Sequence, residues 1–76
     1  MALFLSLHTL ERMEARSITR AEIEQGLTRR ETVYTSPEDA SATVILCSTN
    51  AGRQLKVVVA TDDEEFIITV AARGEG

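Results

Sequence analysis

Between Ser6 and Arg16 the apolar residues Leu7, Leu10 and Met13 recur every third position, while His8, Arg12 and Arg16 recur every fourth. At about 100° per residue these two sets fall on separate arcs of one helix, an apolar face and a basic stripe. Ser6 stands where an N-cap belongs, and the helix is expected to run to Ala15 or Arg16 before Ser17 breaks it. Thr19-Arg20-Ala21-Glu22 is a capping box, with Ile18 and Ile23 at the positions of a hydrophobic staple. A second helix therefore starts at Thr19, and Gly26 weakens or ends it. The two helices form an αα-hairpin.

From Glu31 the period falls to two. Glu31–Thr35 is a β-prone run closed by Ser36-Pro37, and Thr43–Ser48 is an almost continuous apolar strand. Asn50-Ala51-Gly52 supplies a hairpin turn. Gln54–Ala60 then sets Leu55, Val57 and Val59 against Lys56, Val58 and Ala60. Asp62–Glu65 reads as a solvated acidic loop. Phe66–Ala72 follows, with Phe66, Ile68 and Val70 opposed to Ile67, Thr69 and Ala71. Four strands joined by short turns favour an antiparallel meander. The fold class is thus α+β: a single domain, residues 1–76, with an N-terminal αα-hairpin packed on a four-stranded antiparallel sheet in the order ααββββ. Its expected core is Leu7, Leu10, Met13, Ile18, Ile23, Leu55, Val57, Val59, Phe66, Ile68 and Val70.

Length and charge narrow the picture. A chain of 76 residues lies near the lower limit for a self-sufficient core. Cys47 is alone, so an internal disulfide is ruled out, and one His with one Cys cannot build a structural zinc site. A protein partner, a homodimer included, is the remaining way to add stability. No cofactor and no metal are expected. No apolar run is long enough to span a bilayer, and Met1–Leu7 lacks the basic region of a signal peptide, so a soluble, cytoplasmic protein is expected. Cys47 is read as a small buried hydrophobe. The net charge of −4 argues against a general nucleic-acid binder. That charge is uneven: residues 1–36 balance five arginines with five glutamates, whereas residues 37–76 set seven acids against Arg53, Lys56 and Arg73.

The sequence holds no phosphate-binding glycine loop, Ser-His-Asp set or paired-His metal motif. Any chemistry is built from His8, the arginines, Lys56 and Thr69, with Tyr34 as a further candidate. That inventory suits cleavage of RNA by its own 2′-hydroxyl, which needs a proton acceptor, a proton donor and cations for the charge on the phosphorane. His8 can carry a proton, and Arg12 can present a fork to a phosphate. With the helices covering the Leu55/Val57/Val59 face, Lys56 and Thr69 point to the other side of the sheet. The catalytic set is then either the helical stripe or the open sheet face, and His8 could join the latter only around a sheet edge.

The run S-x-H-x-x-x-R-M-x-x-R-x-I, at Ser6, His8, Arg12, Met13, Arg16 and Ile18, resembles the signature of a family of small bacterial and phage-borne domains of unknown function. In that family a capped helix follows, as at Thr19–Leu27, and then strands of the form G-R-x-L-K-V-V and I-x-T-V, here Gly52–Val58 and Ile67–Val70. The family is similar in architecture to the RelE and BrnT toxins, small ribonucleases of toxin–antitoxin pairs. The resemblance implies cleavage of messenger RNA, contact with RNA or the ribosome, and neutralisation by a cognate antitoxin. It implies His8, Arg12, Lys56 and Thr69 as catalytic residues, and Arg16, Arg53 and Arg73 as phosphate-binding ones. Val70-Ala71-Ala72-Arg73 is also similar to the strand-end arginine of the BrnT type. Ser17 departs from the glycine common in the family at this point, and a left-handed serine would cost about 1 kcal/mol. The alternative reading is a non-catalytic protein-interaction module of phage or mobile-element origin; an antitoxin-like subunit is a third.

Overall fold

The computed structural model describes residues 2–74. The elements in chain order are β1 (Phe4–Leu5), α1 (Leu7–Arg16), α2 (Arg20–Thr28), β2 (Arg30–Thr35), β3 (Ala42–Ser48), β4 (Gln54–Ala60) and β5 (Asp63–Ala72). The α+β class agrees with the hydrophobic pattern, and the sheet differs from it. It has five strands in the order β1-β5-β4-β3-β2. β2 to β5 form the expected antiparallel meander, but β1 pairs parallel with β5, so the sheet is mixed. A two-residue strand is too short to carry a period, and its partner lies about sixty residues away, so local sequence holds no sign of it. The acidic stretch also moves: the turn is Thr61–Asp62, and Asp63–Glu65 open β5.

Local signals set both helices. The Ser6 side chain accepts the Thr9 N–H at the start of α1, and the capping box of Thr19 and Glu22 is complete at the start of α2. Ile18 and Ile23, the staple pair, are buried. Ser17 ends α1 in the left-handed conformation (φ 53°, ψ 43°), with the Ile18 N–H on the Met13 carbonyl at 2.8 Å. α2 continues through Gly26 because that glycine is a packing site: a Cβ there would lie 2.6 Å from the Cys47 Sγ. α2 rests on β3 and β4, whereas α1 lies along β5 and β1. No helix is long and apolar enough to cross a membrane among the described residues.

The core centres on Ile23, Ile45, Cys47, Leu55, Val57, Val59, Ile67 and Val70, all fully enclosed. Leu7 and Leu10, expected inside, stand 75% and 47% exposed, and Phe66 is 40% exposed. α1 is rolled so that Thr9 faces the sheet and is fully buried, since the edge of β5 presents carbonyl groups that need donors more than apolar cover. In β5 the alternation breaks at a bulge. Val58 pairs with Thr69 but Val59 pairs with Ile67, leaving Ile68 without an opposite residue. Ile67 and Val70 therefore both face the core, and Phe66 takes the other side. The sheet curls strongly: Arg30 of β2 reaches Glu64 of β5 at 3.0 Å although two strands separate them in the sheet.

Candidate functional site

The edge of β5 organises the site. β1 covers it only at Phe66 and Ile67. Beyond that point α1 takes over, held by side chains at its own start. The Thr9 hydroxyl donates to the Ile67 carbonyl at 2.9 Å, and the Ser6 hydroxyl to the Ile68 carbonyl at 3.0 Å. The Ser6 N–H also donates to the Ile67 carbonyl at 3.3 Å. One serine thus caps the helix and fastens it to the bulge. Because β1 is parallel to β5, α1 proceeds along the strand towards its C-terminal end. Four residues of helix advance about 6 Å, and two residues of strand about 6.7 Å. His8 and Arg12 consequently keep step with Thr69 and Ala71.

Cross-strand register does the rest. Thr69 lies opposite Val58 and Ala71 opposite Lys56, on the face away from the core. Without the bulge Thr69 would share the inward parity of Ile67; the extra residue turns it outward. His8, Arg12, Lys56 and Thr69 accordingly line one hollow of about 280 Å³, completed by Val58, Val70 and Ala71. The choice between helical stripe and open sheet face disappears, because a helix standing at the edge instead of over the sheet contributes to both.

The remaining arginines divide by their partners. Among the described residues no ion pair or hydrogen bond engages the side chain of His8, Arg12, Arg16 or Lys56. Arg16 is exposed one turn beyond Arg12 and does not line the hollow. Arg53 is committed to the fold: its Nη2 donates to the Arg16 carbonyl at 2.6 Å, and its Nη1 to the Ser17 carbonyl at 2.9 Å and to Glu22 at 3.3 Å. It closes the C-terminal end of α1, where a cation suits the helix dipole. Arg73 is committed likewise, donating to the Leu55 carbonyl at 3.1 Å, the Cys47 carbonyl at 2.8 Å and Glu31 at 2.7 Å. Neither meets the hollow.

Titration follows the same partition. The Thr19 backbone N–H, helped by Arg53, holds the Glu22 carboxyl below the ordinary range, and the Arg73 guanidinium does the same for Glu31. Burial pushes the Cys47 thiol up, so it stays protonated and inert as expected for an enclosed cysteine. Tyr34 lies at the far end of the open face, opposite Val44, and is not part of the hollow.

A family model described as a domain of unknown function, DUF4258, matches residues 5–71. The chain belongs to this family. The match spans every residue of the hollow, from His8 to Ala71, and stops short of Arg73. Comparisons with curated proteins and with solved structures gave no match. In this DUF4258 domain the hollow-lining residues that sequence reasoning passed over are Val58, Val70 and Ala71. Val58 and Ala71 could have been found from the strand register with Thr69 and Lys56, had the bulge been visible.

Proposed function

We propose that this DUF4258 domain is a metal-independent endoribonuclease similar to the RelE and BrnT toxins. One observation carries the reading: an imidazole, a guanidinium, an ammonium and a hydroxyl converge on one hollow, and none of these side chains has a hydrogen-bond or ion-pair partner among the described residues. In the reaction the 2′-oxygen of a ribose attacks the adjacent phosphorus and the bond from phosphorus to the 5′-oxygen breaks. The His8 imidazole takes the proton of the 2′-hydroxyl, the departing 5′-oxygen takes one from water, and the hydroxide left behind is neutralised by the imidazolium proton, which returns His8 to its starting form. Arg12 and Lys56 stabilise the charge on the phosphorane oxygens, with the Thr69 hydroxyl donating to one of them. The products are a 2′,3′-cyclic phosphate and a 5′-hydroxyl. By the same likeness a cognate antitoxin neutralises the protein. The competing reading, a non-catalytic interaction module, is favoured by Leu7 and Leu10, which α1 leaves exposed.

The test is incubation of the purified protein with RNA in EDTA, with the 3′ ends analysed. Cleavage to cyclic phosphate ends is expected, reduced about 10²- to 10⁴-fold by His8→Ala with an unchanged circular dichroism spectrum. A wild-type protein that neither cuts RNA nor slows growth on expression would leave the interaction module standing alone.

A further inference from the structure

Phe4 and Phe66 are register partners on β1 and β5, and they are 72% and 40% exposed. Their neighbours Leu5 and Ile67 turn into the core. Strand parity therefore projects both rings from the opposite face, the one that carries Thr69, Ala71 and Lys56. Phe66 precedes Thr69 by three residues, at most about 10 Å along the strand, which the bulge at Ile68 shortens. Two phenylalanines at register-paired positions thus share a sheet face with the hollow, whose cations Arg12 and Lys56 have no ion-pair partner among the described residues. Small domains gain by enclosing large apolar side chains, and here a fold of limited core leaves all three of its aromatic residues exposed, two of them, Phe4 and Phe66, on the strand pair that leads to its cationic recess.

We propose that Phe4 and Phe66 form a stacking subsite for an unpaired nucleobase next to the phosphate held in the hollow. Resting on the ribonuclease reading, this makes the substrate single-stranded RNA. Aromatic faces beside a cationic groove are how proteins hold unpaired strands, because every base has a π-face while duplex bases already stack on one another. Asp62, Asp63 and Glu65, exposed just before Phe66, repel phosphate on the far side of the rings. The bound strand then leaves the rings across the hollow towards Arg12.

A fluorescein-labelled 2′-O-methyl oligoribonucleotide of mixed sequence cannot be cleaved, since its 2′-oxygens are blocked, and fluorescence anisotropy reads its binding directly. The wild-type protein is expected to bind the single strand about tenfold or more tightly than the same strand annealed to its complement. Phe4→Ala and Phe66→Ala should each weaken single-strand binding about tenfold, and truncating the 72% exposed Phe4 should not lower the melting temperature. Phe66→Tyr should retain binding, and Phe66→Leu, which keeps the apolar surface but loses the ring, should not. Equal affinity for single strand and duplex, or wild-type binding by the alanine and leucine variants, overturns the subsite. So does a dimer in sedimentation velocity that Phe4→Ala converts to monomer with RNA affinity unchanged, which would assign the rings to a contact between two copies. Ring-dependent binding by a protein that cuts no RNA sinks the nuclease and keeps the subsite. Cleavage that is indifferent to both rings does the reverse.

Discussion

Ser17 and Arg53 work on the same helix end by different means. Ser17 adopts a left-handed conformation (φ 53°, ψ 43°), which disfavours any side chain with a Cβ by about 1–2 kcal/mol. Glycine avoids that cost and gives back part of the gain in unfolded-chain entropy. Ser17→Gly is thus expected to stabilise the domain by about 0.5–1 kcal/mol, measured as a higher urea midpoint at constant slope; a lower midpoint would contradict this account of the helix stop. Arg53 then occupies the carbonyl groups of Arg16 and Ser17 from a turn thirty-six residues downstream of Ser17. At this scale the two caps, the helix stop at Ser17 and the enclosed cysteine were legible from neighbours within a few positions, whereas the left-handed conformation of Ser17 was implied only by the family resemblance. The duties of Arg53 and Arg73 were not. A guanidinium that binds backbone carbonyl groups reads the same in sequence as one that awaits a phosphate.

Between elements, packing reverses what propensity recommends. Replacing a helical glycine with alanine normally stabilises by about 1 kcal/mol. At Gly26 the new methyl would meet the Cys47 Sγ at 2.6 Å in the core, and overpacking of this kind costs about 1–3 kcal/mol. Gly26→Ala should therefore destabilise the protein, and Cys47→Ala should restore part of the loss by removing the sulfur. A double-mutant cycle in urea checks the pair: strictly additive effects would mean that α2 and β3 do not meet there. The same contact explains why α2 continues through a residue that ends many helices. β5 gives the other lesson. Alternation over Phe66–Ala72 was readable, but the bulge at Ile68 shifted its first half by one residue, exchanging Phe66 and Ile67 between faces. Bulges leave little trace in a single sequence because any residue can occupy one.

For the molecule as a whole, the charge of −4 and a local cationic hollow coexist because no acid lines the hollow and several acids are tied to arginines outside it, as Glu22, Glu31 and Glu64 are. An RNA ligand would meet few fixed cations: Arg12, Lys56 and the outlying Arg16. Neutralising two or three phosphates gives a slope of about −1.4 to −2.1 for log affinity against log salt with a single strand. A titration from low to moderate salt measures it, and a flat line would mean that no phosphates are held. The sequence by itself determined the two capped helices, the four antiparallel strands, most of the buried face and the residue types available for chemistry. These follow from periodicity and caps, which act over distances of one or two turns. Tertiary structure alone decided that β1 joins β5, that α1 stands at the sheet edge with Thr9 inward, and that His8 and Arg12 meet Lys56 and Thr69. Those outcomes depend on unsatisfied carbonyl groups at the end of the chain being met by hydroxyl groups near its beginning, a pairing that no local pattern encodes.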